Sequence, residues 1–192
     1  MPAKSKRSKS VKKKSKVAKF EPIPPGFNTV TPHLAINGAA QAIEFYKKAF
    51  GAKEFERERQ ATPDGKLMHG RIKIGDSIVM LADVFPGSPL KDPLSAGTST
   101  VTLHIYSKNV DKLWEQATGA GAKVTMPLDN QFWGDRYGQL EDPFGHHWSV
   151  SQRVKMSPKE MKEKQEKAMA MFSQGQHAGR AEESAEVPPT TV

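Results

Sequence analysis

Apolar and polar residues alternate where the first regular element of the chain is expected. Val30, Pro32, Leu34 and Ile36 fall on one side, and Thr31, His33 and Ala35 on the other. This period of two predicts a strand with one apolar face. Ala39, Ala42, Ile43, Tyr46, Ala49 and Phe50 then recur at helical spacing, with Asn37 placed to cap the helix and Gly51 to stop it. Residues 53–60 and 66–74 predict strands on either side of the turn Thr62-Pro63-Asp64-Gly65, and Gly75-Asp76 turns the chain into a third strand over 77–84. Residues 85–97 hold Pro86, Gly87, Pro89, Pro93 and Gly97 and read as a linker. The same order then returns. A strand over 99–106 precedes a helix over about 109–119, with Val110, Leu113, Trp114 and Ala117 on one face. A strand over 122–126 follows, then a loop from Pro127 to Trp133 and a strand near 136–141. The turn Asp142-Pro143-Phe144-Gly145 leads to a last strand over 146–152. Ser157-Pro158-Lys159-Glu160 is a capping box with Pro at the first helical position. It opens a helix to about Phe172 with a thin apolar stripe of Met161, Ala168, Met169 and Phe172.

The two halves share landmarks as well as order. Val30-Thr31-Pro32-His33 is matched by Val101-Thr102-Leu103-His104, 71 positions later, and Gly51-Ala52-Lys53 by Gly121-Ala122-Lys123, 70 positions later. A nearly constant offset over several landmarks implies a duplicated unit of about 60 residues.

Charge separates a tail from this body. Residues 1–19 carry nine of the 29 Lys and Arg residues and no acid, which leaves 29 − 9 = 20 bases against 21 acids elsewhere, a net of −1. The tail has too little apolar content to offset the entropy of ordering, so disorder is expected there and again over 174–192. It could make weak, non-specific contact with nucleic acid. The expected layout is a basic tail and Pro-rich linker (1–26), a domain over 27–152 with modules 27–85 and 98–152, a helix (153–173) and a tail (174–192). The absence of cysteine rules out thiolate metal sites and disulfides and suits a cytoplasmic protein. No apolar run approaches the roughly 20 residues of a membrane helix, and the basic N-terminus lacks the apolar segment of a secretory signal, so no membrane association is expected.

Tandem strand–helix–three-strand modules resemble the vicinal oxygen chelate superfamily, the group of glyoxalase I, bleomycin-resistance proteins and extradiol dioxygenases. The stretch from Ala42 to Ala52 is similar to the family's first helix and its glycine stop. Trp133-Gly134-Asp135-Arg136-Tyr137-Gly138 with Asp142-Pro143-Phe144-Gly145-His146-His147-Trp148 resembles the second module of the glyoxalase-like branch associated with phosphonate operons. The resemblance covers about residues 27–152. It implies an α+β fold of tandem βαβββ modules forming a curved mixed sheet, here with an added C-terminal helix. It also implies a homodimer and a small-molecule cavity.

In metal-dependent members each module offers one ligand from its first strand and one from its last. Carried over, these positions fall near Thr31, Met80, Thr102 and Ser149. Hydroxyls and a thioether are poor ligands for a divalent ion that prefers imidazole or carboxylate. The expectation is therefore ligand binding without a metal cofactor. His33 and His104 lie two residues beyond Thr31 and Thr102 on the same strand faces, and His147 two before Ser149. A register shift would offer these three imidazoles to Zn, Ni, Mn or Fe, and with them lyase, isomerase or dioxygenase chemistry. Trp133 and Arg136 suit a pocket rim, the guanidinium gripping a carboxylate or phosphate; in the structural alternative Arg136 pairs with Asp135 or Glu141. Trp114 and Trp148 are expected to pack between helix and sheet, Asp142 to fix its turn, and Asp83 is a weaker candidate for a cavity carboxylate. The ligand-binding set is thus Thr31, His33, Met80, Thr102, His104, Trp133, Arg136, His147 and Ser149. No nucleophile motif and no Gly-rich phosphate loop is present.

Overall fold

The computed structural model describes residues 21–173; the readings of residues 1–19 and 174–192 as tails lie outside them. The fold is α+β, and each module builds its own sheet. In the first, β1 (His33–Ile36) runs parallel to β5 (Ser77–Asp83), which pairs antiparallel with β4 (Leu67–Ile74). Two short strands, β2 (Lys53–Glu54) and β3 (Gln60–Ala61), flank the far side of β4. The second sheet has the order β6-β9-β8-β7: β6 (Thr102–Tyr106) is parallel to β9 (His147–Arg153), and β8 (Asp135–Glu141) and β7 (Lys123–Asn130) complete it antiparallel.

The helices α1 (Ala39–Phe50) and α3 (Val110–Gly119) pack on their own sheets and on each other. Gln116 Nε2 on α3 donates to Lys48 O on α1 at 2.8 Å. The alternation of Leu34 and Ile36 with His33 and Ala35 sends the larger apolar side chains toward the helices, and one core runs through both modules from Leu34 to Trp148. Its centre is aromatic. Trp148 lies 4.5 Å from Phe50 and 5.3 Å from Tyr46, ring centroid to ring centroid. Asp142 ties this centre to the turn before β9. Its Oδ2 accepts from Tyr46 OH (2.7 Å) and Trp148 Nε1 (2.9 Å), and its Oδ1 from the backbone N–H of Phe144 and of His146, both at 2.9 Å. The turn of one module is thereby anchored to the helix of the other.

Several local expectations change. Residues 53–60 form two short strands split by a 3-10 turn over Glu56–Glu58, because the charged run after Phe55 has no apolar face to lay on the core. The linker contains a short helix, α2 (Pro93–Ala96), whose cap is Asp92 accepting from Ser95 N at 3.1 Å. β7 continues to Asn130 through Pro127, on the sheet edge and beside register shifts, where a missing N–H is tolerated. β1 begins at His33, so Val30 and Thr31 precede it. Asn37 does not cap α1; Gly38 holds that position in the left-handed region. The capping acceptor comes from the other end of the module: Asp83 Oδ1 accepts from Gly38 N (2.7 Å) and Ala39 N (3.0 Å), and its Oδ2 from Leu67 N (2.7 Å). Asp83 is therefore a structural carboxylate. The last helix, α4 (Pro158–Ser173), has its capping box formed by Ser157 and Glu160.

Candidate functional site

Ladder partners put their side chains on one side of a sheet. With the helices covering one side of each sheet, the other side is left open. On the second sheet three rows cross that open face: Thr102–His147–Glu141, His104–Ser149–Gln139 and Tyr106–Ser151–Tyr137. The middle of the face is built around His104. Its Nδ1 is 2.7 Å from Ser149 Oγ and its Nε2 is 3.0 Å from Ser151 Oγ, and both serines are buried. Tyr137 stacks on the imidazole at 5.9 Å and Tyr106 meets it edge-on at 4.5 Å. Gln139 Nε2 donates to Tyr137 OH at 2.8 Å, and Trp133 closes against Tyr137 at 5.6 Å. Burial holds His104 below its usual pKa of 6.5 against the opposing pull of Asp135. The neutral ring has one N–H and one lone pair, and the two serine hydroxyls use both.

The ladder also fixes the register that the sequence left open. His33, not Thr31, stands level with Met80, and His104, not Thr102, with Ser149. Thr31 Oγ1 is occupied in a turn, donating to Asn28 O at 2.9 Å. Thr102 is level with His147, whose Nε2 lies 3.5 Å from Glu141 Oε2. His33 is on the first sheet while His104 and His147 are on the second. Among the described residues no three His, Asp or Glu side chains gather into a group able to hold a metal ion. At positions that the resemblance gives to metal ligands stand the Met80 thioether and the Ser149 hydroxyl, and both nitrogens of His104 lie within hydrogen-bonding distance of serine hydroxyls.

Trp133 and Arg136, paired in the sequence reading as a rim, are on opposite sides. Trp133 sits over the open face. Arg136 shares the helix side with Gly138 and Leu140, and its Nε and Nη2 donate to Asp111 Oδ1 on α3 at 2.9 and 2.6 Å. Neither Asp135 nor Glu141 is its partner. Trp114 also lies on the helix side. A Cβ on Gly138 would sit 2.5 Å from the Trp114 ring, so only glycine lets the indole lie on β8. Sequence reasoning missed Ser151, Tyr106 and Tyr137. Period-two spacing from His147 through Ser149 to Ser151 was the signal for the first of them. A cleft of about 570 Å³ opens between the modules, lined in part by His104, Tyr106, Trp148, Ile78, Val30 and Pro32.

Burial lowers three histidines, His33 (helped by His69), His104 and His146. Asp142, a backbone hydrogen bond with Ala35, and Asp92 pull His146 back up without cancelling the effect, and its Nε2 is buried with no partner. Below about pH 6.5 the unfolded chain takes up protons that the folded chain refuses. Stability present above that pH is lost as the pH falls. The melting temperature is expected to drop between pH 7.5 and 5.5, with a shallower slope in His146→Gln. A flat profile in the parent protein would contradict this.

The sequence profile described as the Glyoxalase/Bleomycin resistance protein/Dioxygenase superfamily matches residues 26–150. Uncharacterized protein Rv0887c of Mycobacterium tuberculosis is 46% identical over 129 residues, covering 66% of this chain and 75% of that protein. Protein YjdN of Escherichia coli is 26% identical over 150 residues, covering 67% of this chain and 97% of its own length. Among solved structures, TioX from Micromonospora sp. ML1 superposes with a TM-score of 0.51 at 25% identity, over 68% of this chain and 100% of that one.

Proposed function

This chain belongs to the Glyoxalase/Bleomycin resistance protein/Dioxygenase superfamily, and from that premise we propose that it binds a small organic ligand without the usual metal. The observation that carries the reading is the pair of serine hydroxyls on His104. They turn the imidazole into a fixed polar tile in an aromatic wall and leave it no lone pair to offer an ion. Tyr137, Tyr106 and Trp133 supply flat surface for an apolar ring, and Gln139, Ser149 and Ser151 hold the wall in place. The cleft of about 570 Å³ that His104 and Tyr106 of this wall line is in the range of small-molecule sites. We place the chain in the phosphonate-operon-associated branch on its Trp133–Gly138 and Asp142–Trp148 motifs, and in the cytoplasm.

His104→Ala is expected to weaken ligand binding at least about tenfold, roughly 1.4 kcal/mol, and to lower stability by about 1–3 kcal/mol, because the buried Ser149 and Ser151 hydroxyls lose their partner. The check is a thermal-shift screen of aromatic and heteroaromatic compounds followed by calorimetry on the parent and the variant. A ligand that binds both equally would remove the wall from the account.

The open face also supports a homodimer, in which the module of one chain would close the cavity of the other. Tyr106 and Val101 are 69% and 64% exposed in the single chain and would be covered. Light scattering is expected to give about twice the 21.2 kDa of one chain; a monomer at all concentrations would rule this out.

A further inference from the structure

The open face of the first sheet carries a row of basic residues that the His104 wall does not use. Alternation along β4 places His69, Arg71 and Lys73 on this face, and the ladder sets His33 and Met80 level with Arg71. The Arg71 guanidinium lies between two aromatic rings, 4.9 Å from the centroid of Phe27 and 5.4 Å from that of Phe55. This clamp fixes a side chain that would otherwise lose much rotamer freedom on binding, and it leaves the hydrogen-bonding edge of the guanidinium as the part that can engage a partner. The Nε of Arg71 is buried and has no acceptor, an arrangement that is costly unless something supplies one. The His33 and His69 rings stand 6.3 Å apart beside it.

One carboxylate lies against this position. Glu58, on the 3-10 turn, pairs with Arg71 Nη2. The pairing is lopsided: the Arg71 side chain is 19% exposed and the Glu58 side chain 43%. A clamped cation is thus covered by a loosely held acid on a short turn. The neighbouring Glu54 is not available for this role, because Lys47 and Arg59 hold it at 2.8 and 2.7 Å.

We infer that Arg71, with His33 and His69 beside it, is an oxyanion-binding position that receives a carboxylate or phosphate group of the ligand, and that Glu58 fills it when no ligand is bound. This rests on the ligand-binding reading above, with the open faces of the two sheets meeting around one ligand, and narrows it to an anionic ligand. A planar carboxylate or a phosphate can meet the Nε and Nη edge of the guanidinium in a two-point contact that a monodentate Glu58 does not complete.

Three probes test it on the full chain by calorimetry and by the NMR signal of the Arg71 Nε–H: benzoate, phenyl phosphate and neutral benzamide. The two anions are expected to bind at least about tenfold tighter than benzamide and to move the Arg71 signal; which of the two binds tighter tells carboxylate from phosphate. Glu58→Gln removes the internal competitor and is expected to tighten both anions at least about threefold. Arg71→Gln is expected to bring the anions down to the affinity of benzamide. Should Arg71→Gln fail to fold, the exposed Glu58 still carries the test. Benzamide binding as tightly as the anions, with no response to Glu58→Gln, would overturn the oxyanion position and leave the aromatic ligand site standing. No binding of any probe to parent or Glu58→Gln protein would overturn both.

Discussion

Asp142→Ala is expected to destabilise the protein by about 3–5 kcal/mol, a large share of the roughly 5–15 kcal/mol that holds an ordinary domain folded. The carboxylate accepts four hydrogen bonds, two from side chains and two from the turn backbone, and it is 3% exposed. Alanine leaves Tyr46 OH and Trp148 Nε1 in the core without an acceptor, at about 1–3 kcal/mol each. It also frees the backbone N–H groups of Phe144 and His146. The turn before β9 then loses the tie that holds it to α1. Asp142→Asn keeps one acceptor oxygen and is expected to lose about half as much. Urea denaturation followed by tryptophan fluorescence measures both. A loss below about 1 kcal/mol for the alanine variant would show that the modules are held together by other means.

Trp148→Ala is expected to cost a similar amount, about 3–5 kcal/mol, by a different route. The indole is 2% exposed and packs against both Tyr46 and Phe50 of the first module. Its removal leaves a cavity at the junction, and the surrounding rings are themselves pinned by Asp142 and α1, so the site cannot collapse to fill it. The two substitutions share a hydrogen bond, and the double variant should lose less than the sum of the single losses. Full additivity in a double-mutant cycle would mean that Trp148 and Asp142 act separately. Because Trp148 also lines the cleft between the modules, the variant should bind larger ligands than the parent if it is refolded under stabilising conditions.

Much of the architecture was legible because each half has one-sided elements. Leu34 and Ile36 against His33 and Ala35, and Ala42, Ile43, Tyr46 and Ala49 at helical spacing, specify a strand and a helix from local pattern alone. The duplication then supplied the second module from the first. Asp142 was readable as a turn residue, but its bond to Tyr46 joins positions 96 apart in sequence, which no local pattern encodes. The same holds for Asp83, which caps a helix 45 residues before it. Residues 53–60 misled because propensity alone does not show that a charged run has no face to bury.

The site was read less well than the fold. The pairing of Trp133 with Arg136 ignored parity. Leu140 faces the core, so Arg136, four residues earlier on the same strand, must face α3. That information was in the sequence. The partners of His104 were not. Knowing that β9 runs parallel to β6 in the register His104↔Ser149 needs the assembled sheet. Arg71 escaped notice for a related reason: nothing in the string places Phe27, Phe55 and β4 together.

The central claim is that His104 is a hydrogen-bonded wall residue and not a metal ligand. The most direct test is titration of tag-free protein with Zn, Ni, Mn and Fe ions, reading bound metal by elemental analysis after dialysis and the His104 ring by nitrogen chemical shifts. The account predicts a neutral His104 ring at pH 7.5 whose shifts do not respond to any of the four ions, and no metal retained in stoichiometric amount. One equivalent of metal per chain, lost in the double variant His33→Ala/His104→Ala, would contradict it.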